Sequence, residues 1–172
     1  IQVEHPVTEL VTGVDLVQWQ LRIASGERLP FTQEELAPRG WAIECRITSE
    51  DPSNGFLPST GHVRYLHVPR GPGVRWDGGI ETGSEISLYY DPMLAKLIVH
   101  APSRDEAIAR MHRALLELTI EGVDTSRDFH LRVMDNDDFR RGAIEIQWLE
   151  RHLDVLTAVA PPPDGVIRAA TA

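Results

Sequence analysis

Residues 41–48 read WAIECRIT, and this stretch gives the clearest indication of the fold class. Every second residue is apolar, which is the spacing of a β-strand with one buried face. The apolar face carries Trp41, Ile43, Cys45 and Ile47, and the other face carries Ala42, Glu44, Arg46 and Thr48. We therefore predict a strand that packs its first face on a core and leaves Glu44 and Arg46 on a polar face.

Further strands are predicted on the C-terminal side of this stretch, at GHVRYLHV (61–68), EISLYY (85–90) and LAKLIV (94–99). The last of these is apolar at nearly every position, which is typical of a strand buried on both faces. Lys96 interrupts it and is the only lysine of the chain, so we predict that its side chain reaches a surface or pairs with a carboxylate.

The strongest helical pattern runs from Ser103 to about Leu118, where apolar residues recur at helical spacing. Ser103 and Glu106 are placed to form a capping box at its start. Shorter helices are predicted at 15–25, 127–134 and 148–155. Because helices bracket the strands rather than alternate with them, we predict an α+β fold with a mostly antiparallel sheet flanked by helices.

The composition limits which classes of binding partner and which cellular compartment are expected. The chain has 172 residues, enough for one well-buried core, and a formal net charge of −9. That charge argues against nucleic acid or an anionic membrane as the main partner. A single cysteine, Cys45, cannot form an internal disulfide, so we predict a cytoplasmic location. Residues 158–172 are rich in Ala and Pro and are predicted to be a linker or a disordered tail.

The first candidate site is QVEHP, residues 2–6. Pro6 biases the residue before it toward extended backbone, so we predict that Gln2 to His5 is strand-like. Gln2 and Glu4 would then project the same way, with the backbone N–H of Val3 beside them. An amide, a carboxylate and a backbone donor suit a small planar oxyacid, whose proton the carboxylate takes. The alternative is that Glu4 is an ordinary polar residue in the segment that leads into a helix and has no functional role.

Arg46 is the second candidate, because its guanidinium stays charged and offers a planar fork of donors to an anion. The alternative is an ordinary surface ion pair with Glu44 on the same strand face. Asp91, in YYDPMLAKLIV (89–99), either orients this arginine or opens a turn before Pro92. Taken one at a time, these residues favour the structural explanation.

Four stretches, however, occur together and in order. They are IQVEHPVTELVTGVDLVQWQLRIASG (1–26), AIECRITSEDPSNGFLPSTG (42–61), GVRWDGGIETG (73–83) and YYDPMLAKLIVHAPSRDEAIARMHRAL (89–115). Together they resemble the C-terminal third of biotin carboxylase, the ATP-grasp component of acetyl-CoA, propionyl-CoA and pyruvate carboxylases. The resemblance covers about residues 1–155.

The resemblance implies a division of the chain. Residues 1–26 would be the last strand and helix of a truncated ATP-grasp domain, and residues 27–157 the family's C-terminal domain. In the family, an active-site Asn-x-Arg, the phosphate loop, the ATP-binding lysines and the magnesium-binding glutamates precede the position of Ile1. ATP, Mg²⁺ and biotin are therefore expected for the whole enzyme, with most of the ATP and Mg²⁺ site outside this chain and no metal ligand within it.

The resemblance also implies roles for individual residues. Glu4 matches the base that deprotonates bicarbonate, which then attacks the γ-phosphate of ATP and gives carboxyphosphate. Gln2 and the backbone N–H of Val3 match the bicarbonate cradle. Arg46 matches the arginine that holds bicarbonate and then stabilises the enolate-like biotin. Asp91 matches the partner that positions this arginine.

Two further matches concern binding surfaces. Ile146 matches an apolar wall against the adenine, and Arg75 lies where the family's homodimer contacts fall. The other partners that the resemblance implies are a biotin carboxyl carrier domain and a carboxyltransferase subunit.

The function that follows is that of a biotin carboxylase fragment. The parent enzyme would carboxylate protein-bound biotin with ATP and bicarbonate, and the isolated chain is predicted to be inactive. One alternative is another ATP-grasp ligase, of the purine-pathway carboxylase or carbamoyl-phosphate synthase type. Another is a non-catalytic domain for dimerisation or scaffolding.

Overall fold

The computed structural model of the chain describes residues 1–158. Within them the helices are α1 (Pro6–Thr12), α2 (Leu16–Ala24), α3 (Arg104–Glu117), α4 (Arg127–Asp135), α5 (Asp137–Arg141) and α6 (Trp148–Thr157). The strands are β1 (Trp41–Thr48), β2 (Glu50–Asp51), β3 (Leu57–Pro58), β4 (Gly61–His62), β5 (Tyr65–His67), β6 (Val74–Gly78), β7 (Glu85–Ile86), β8 (Met93–Ala101) and β9 (Thr119–Glu121). None of these helices is both long and apolar enough to cross a membrane.

The main sheet has three strands in the order β1-β8-β6, and both pairings are antiparallel. Leu97 lies at its centre, opposite Cys45 of β1 on one side and Trp76 of β6 on the other. Short antiparallel pairs join β2 to β3, β4 to β7 and β5 to β9. The prediction of helices around a mostly antiparallel sheet is confirmed.

The core lies between one face of the main sheet and helix α3. Its buried members are Cys45, Ile47, Leu97, Val99, Ile108, Met111, Ala114, Leu115, Leu118 and Met134. The alternation predicted for residues 41–48 is confirmed at its C-terminal half, whereas Trp41 at the strand's start is 53% exposed. The capping box of Ser103 and Glu106 is present, with each side chain accepting a hydrogen bond from the other's backbone N–H.

A second, smaller core joins α4 to α6. Phe129 and Trp148 are buried there together with Leu156. Both helices occur where the sequence predicts them, and α5 is an additional short helix between them. Asn136 begins α5, because its side chain accepts hydrogen bonds from the backbone N–H groups of Asp138 and Phe139.

The prediction of a strand at Gln2 to His5 is wrong. Residues 3–5 form a turn that leads into α1, and the predicted last strand of an ATP-grasp domain is not present there. Pro6 takes the first position of the helix, where its missing N–H costs no hydrogen bond. The turn is closed by hydrogen bonds from His5 N to Gln2 O and from Val7 N to Glu4 O. The helix predicted at 15–25 is confirmed as α2, with Asp15 as its cap.

Two predicted strands are shorter than expected. In EISLYY, only Glu85–Ile86 forms a strand, and the next three apolar side chains, Leu88, Tyr89 and Tyr90, are exposed. GHVRYLHV divides into β4 and β5 because the chain changes partner between them: Val63 N bonds to Ser84 O, and Arg64 N to Glu121 O. The tail predicted at 158–172 lies outside the described residues, apart from Ala158.

Candidate active site

The face of the main sheet opposite α3 is strongly charged, and α1 packs beside it against β1 and β8. Because side chains alternate along a strand, the polar residues of three neighbouring strands meet there. We call this surface the charged face, and it comprises Glu44, Arg46, Arg75, Asp77 and Lys96. Glu4 and Glu9, from the turn before α1 and from α1 itself, reach onto it.

Glu4 and Arg46 come together on this face. The Nη2 atom of Arg46 donates a hydrogen bond of 3.0 Å to Oε2 of Glu4. The Arg46 side chain is 51% exposed and that of Glu4 53% exposed. The structure thus places a carboxylate and a guanidinium side by side and within reach of solvent, as the interpretation of both as site residues requires.

Glu44 lies on the other side of the same guanidinium. Its Oε1 atom is 4.0 Å from Nε of Arg46, and its side chain is only 5% exposed. The ordinary surface pair considered from the sequence is therefore wrong for Glu44, which is buried. Burial raises the pKa of the Glu44 carboxyl, and the positive charges of Lys96 and Arg46 act against this rise.

β1 is an edge strand of the main sheet, and side chains from outside the sheet hold the backbone of Arg46. Its carbonyl accepts hydrogen bonds from Nε2 of His130, at 2.8 Å, and from Oγ of Ser126, at 3.1 Å. The Ser126 hydroxyl oxygen also accepts from the N–H of Thr48. The sequence does not single out His130 and Ser126 as site residues, because no local pattern relates them to a residue some 80 positions away.

The rest of the charged face forms an ion-pair network within the chain. Arg75 makes two hydrogen bonds to Asp77, at 2.8 and 2.7 Å, and one of 2.7 Å to Glu9. This contact with Arg75 lowers the pKa of the Asp77 carboxyl. The Lys96 ammonium lies 3.7 Å from Asp77, which confirms the predicted pairing of this lysine with a carboxylate.

Gln2 and Val3 precede Glu4 in the same turn. Since the turn replaces the predicted strand, the expected same-side projection of Gln2 and Glu4 does not follow from strand geometry. Within residues 1–158, no hydrogen bond is donated by the backbone N–H of Val3. Their role in an anion cradle stays a prediction.

Within residues 1–158, Asp91 makes no ion pair with Arg46, and its role as the partner that positions this arginine stays a prediction. Its Oδ1 atom accepts a hydrogen bond of 2.9 Å from the N–H of Met93. Among the described residues, the acidic partners of Arg46 are Glu4 and Glu44. The second sequence interpretation of Asp91, a turn before Pro92, is the one that its hydrogen bond fits, because short Asp side chains bond their own backbone two residues on.

Ile146 lies between α5 and α6 and is 98% exposed. An apolar side chain this exposed has little to contact among the described residues, and its predicted contact with adenine stays a prediction. Arg75 is predicted at a homodimer contact. In the structure it forms ion pairs with Asp77 and Glu9 on the charged face, and 37% of its side chain is exposed.

Comparison with protein families identifies the fold. The family model described as Biotin carboxylase C-terminal domain matches residues 44–151. The chain belongs to this family. A second model, the ATP-binding domain of the carbamoyl-phosphate synthase L chain, matches residues 1–32. The biotin carboxylase match spans β1 to the first part of α6, and thus contains Glu44 and Arg46, while Glu4 lies in the second match.

Individual relatives of this biotin carboxylase C-terminal domain agree. Biotin carboxylase 1 of Bacillus subtilis is 49% identical over 88% of this chain and 34% of that protein. The biotin carboxylase of Haemophilus influenzae is 48% identical over 89% of this chain and 34% of its own length. The chain therefore spans about a third of the curated relatives that it matches.

A solved structure gives the same result for the fold. The biotin carboxylase domain dimer of the Hydrogenobacter thermophilus 2-oxoglutarate carboxylase, in complex with MgADP, ADP and bicarbonate, superposes with a TM-score of 0.89. It is 47% identical, and the match covers 93% of this chain and 35% of that chain. The predicted α+β class and the predicted family are both confirmed.

Proposed function

We propose that this chain is part of an ATP-dependent biotin carboxylase, whose whole protein carboxylates protein-bound biotin with bicarbonate. The observation that carries the proposal is the 3.0 Å contact between Glu4 and Arg46, two half-exposed side chains from separate family matches. A carboxylate that accepts a proton beside a cation that neutralises the product is the arrangement that bicarbonate activation needs.

Glu4 would take the proton of bicarbonate, because its half-exposed carboxylate lies beside the Arg46 guanidinium that would bind this anion. Arg46 would hold the resulting dianion with the N–H donors that Glu4 leaves free. The free N–H of Val3 and the amide of Gln2 precede Glu4 in the same turn and would complete the cradle. The residues present thus fit a one-carbon oxyacid in charge and in hydrogen-bonding capacity.

The same arginine would act again in the second half-reaction. When biotin loses the proton of its ring nitrogen, negative charge develops on the ureido oxygen, and a fixed guanidinium stabilises it more than it stabilises the neutral ring. Arg46 suits this role because its backbone is held on both sides, by β8 and by the hydrogen bonds of His130 and Ser126.

ATP and Mg²⁺ would be held mainly by parts of the whole protein that this chain does not contain. The ATP-binding family model matches only residues 1–32 of the chain. ATP supplies the phosphoryl group that makes bicarbonate reactive. From the chain itself, Ile146 would contribute an apolar contact to the adenine, for which its 98% exposure leaves it free.

We propose that residues 1–26 belong to the ATP-grasp domain and that 27–157 form the C-terminal domain. The family matches at 1–32 and 44–151 support this division. Helix α2 supports it as well, because no residue of this helix is buried within the described chain. Its apolar residues Val17, Leu21 and Ile23, each at least half exposed, would pack against the remainder of the ATP-grasp domain.

The partners proposed are a second copy through the region of Arg75, a biotin carboxyl carrier domain and a carboxyltransferase subunit. The biotin carboxylase domain from Hydrogenobacter thermophilus is a dimer, which supports the first of these. A cytoplasmic location is proposed as well, and the free, buried thiol of Cys45 supports it.

The test uses the purified full-length protein with ATP, bicarbonate and free biotin, and follows ADP and carboxybiotin. We expect carboxybiotin to form, and Arg46→Gln to lower the rate of carboxyl transfer by about 100-fold or more while the KM for ATP changes little. Arg64→Gln, at an exposed arginine between β4 and β5, is the matched control and should leave the rate unchanged. An unaltered transfer rate in Arg46→Gln would remove this residue from the site.

One alternative function has an observation in its favour, namely the match of residues 1–32 to a carbamoyl-phosphate synthase model. Such a ligase would also activate bicarbonate with ATP, but it would not need biotin. ADP formation that is independent of biotin, with no carboxybiotin detected by mass spectrometry, would favour this alternative over the carboxylase.

A further inference from the structure

Glu44 is a buried carboxylate that receives no hydrogen bond from the residues that the structure describes. Its side chain is 5% exposed, and among the described residues neither Oε1 nor Oε2 accepts a hydrogen bond. Buried polar groups in proteins are nearly always satisfied, so each exception calls for a physical explanation. The proposed roles of Glu4 and Arg46 give Glu44 no function.

Leaving this carboxylate buried is costly for the fold. Removing an ionised group from water costs free energy that only close ion pairs and hydrogen bonds offset. The nearest cation of its own strand, Arg46, is 4.0 Å away and already donates to Glu4. A neutral side chain of the same shape would therefore suit the fold at least as well.

The cations around Glu44 do not depend on it for a partner. Lys96 lies 3.7 Å from Asp77, and Arg46 lies 3.0 Å from Glu4. Arg75 is bound by Asp77 and Glu9. If Glu44 lost its charge, every cation of the charged face would still have a carboxylate beside it, so the folded structure alone does not explain why an acidic residue stands at position 44.

Geometry gives the explanation. Arg46 lies between two carboxylates, with Glu4 at Nη2 and Glu44 at the Nε side. Glu4 is half exposed and sits in a turn, whereas Glu44 is buried and is fixed two residues before Arg46 in β1. A negative charge on the Nε side attracts that side of the fork toward the sheet. The Nη side then stays turned toward Glu4 and solvent.

We propose that Glu44 is a positioning residue, whose buried negative charge holds the guanidinium of Arg46 in the orientation that a one-carbon oxyanion needs. The proposal rests on the function proposed above. It deepens that function by assigning the orientation of Arg46 to a second carboxylate, one that does not itself contact the substrate.

The test compares three variants of the full-length protein: Glu44→Gln, which keeps the shape and removes the charge, Glu44→Asp, which keeps the charge at a shorter reach, and Glu121→Gln, an exposed control on β9. Bicarbonate-dependent ADP formation is measured with and without free biotin, together with the KM for bicarbonate, the KM for ATP and the Tm. We expect Glu44→Gln to lower kcat/KM for bicarbonate about tenfold to 100-fold, as small misplacements of a substrate-positioning group do.

In the same variant, we expect the KM for ATP to stay within about twofold and the Tm to be equal or higher, since a buried charge is removed. Glu44→Asp should recover part of the lost activity, and Glu121→Gln should match the wild type. Wild-type kcat/KM in Glu44→Gln would overturn the proposal, and so would a fall in activity that comes with a lower Tm, because that pattern indicates a structural role.

The two proposals fail in different ways. If the wild type forms ADP with bicarbonate but makes no carboxybiotin, the carboxylase function is wrong, and the Glu44→Gln measurement on bicarbonate still decides the role of Glu44. If the wild type makes carboxybiotin and Glu44→Gln equals it, only the role of Glu44 is wrong. A wild type without bicarbonate-dependent ADP formation would overturn both.

Discussion

The Nη2 atom of Arg46 and the Oε2 atom of Glu4 lie 3.0 Å apart, although 42 positions separate these residues in the chain. The contact joins the turn before α1 to the middle of β1, and both side chains are about half exposed. An exposed pair of this kind contributes little to the stability of a fold. We therefore infer that this pair serves the proposed chemistry more than the stability of the fold.

The first prediction follows from this exposure. We expect Glu4→Gln in the 172-residue chain to change the free energy of unfolding by less than about 1 kcal/mol, because water screens the pair. Urea denaturation followed by circular dichroism measures this, with Glu121→Gln as the control. A loss well above that bound would mean that the pair stabilises the fold.

The second prediction concerns two neighbouring leucines of α3. Leu115 is fully buried in the core beneath the sheet, whereas Leu116 is 55% exposed. Leu115→Ala should lower the free energy of unfolding by about 2–5 kcal/mol, because it leaves a cavity. Leu116→Ala, the same chemical change one residue further along the same helix, should cost less than about 1 kcal/mol. Equal costs in urea denaturation would contradict the assignment of the core face.

The third prediction concerns Gly122, which follows β9. Its φ is +110°, and a Cβ built on it would lie 1.9 Å from the carbonyl oxygen of His62. Because that neighbour is backbone, Gly122→Ala should cost at least about 3 kcal/mol, from left-handed strain and overpacking together. Gly13→Ala is the control: φ is +74° there too, but no atom lies within 4 Å of the added Cβ.

Gly13→Ala should therefore show the strain alone, about 1–2 kcal/mol. Thermal and urea unfolding of the two variants give the comparison. If Gly122→Ala were no more costly than Gly13→Ala, the close approach of Gly122 to the backbone of β4 would be wrong.

The fourth prediction is a pH dependence. Burial lowers the pKa of the His130 imidazole below its usual 6.5, and the hydrogen bond to the Arg46 carbonyl opposes this more weakly. Between the two pKa values, the unfolded chain binds a proton that the folded chain does not bind. The free energy of unfolding should then fall as the pH decreases from about 6.5 toward the lower pKa of the folded state.

His130→Gln is the variant that tests this dependence, because its amide retains a donor for the Arg46 carbonyl but does not titrate. Urea denaturation at a series of pH values should show a smaller decrease in stability below about pH 6.5 in the variant than in the wild type. Identical pH profiles would show that the imidazole is not desolvated in the folded state.

The fifth prediction concerns the chain by itself. Residues 1–172 with ATP, bicarbonate and free biotin should yield no carboxybiotin, because only residues 1–32 match the ATP-binding model. The full-length protein assayed in parallel is the control, and mass spectrometry of biotin products is the measurement. Carboxybiotin formed by the 172-residue chain would contradict the proposed division of the site.

The elements that the sequence predicts well are those whose pattern is local. Strand β1 follows from a period of two, and α3 from its helical period and the capping box of Ser103 and Glu106. Pro6 shows the limit of such patterns. A proline favours extended backbone before it and also suits the first position of a helix. Here the hydrogen bonds within residues 2–7 close a turn, and Pro6 therefore begins a helix instead of following a strand.

The candidate site was predictable only in part for a related reason. Sequence motifs single out Glu4 and Arg46, and the resemblance to a known family brings them together. The alternation along β1 places Glu44 on the polar face and does not reveal that its side chain is buried there. The local hydrogen bond of Asp91 to Met93 likewise competes with its predicted role toward Arg46, and only coordinates show which contact is made.

The carbonyl of Arg46 accepts hydrogen bonds from His130 of α4 and from Ser126, the residue before that helix, while its guanidinium donates to Glu4 on the charged face. The main chain and the side chain at this position are therefore held by different residues. A substitution of the side chain would alter the electrostatic field above the sheet but would leave the backbone hydrogen bonds of β1 at this position in place. Position 46 is accordingly suited to engineering, since a different side chain introduced there would be attached to a backbone that is already fixed by hydrogen bonds.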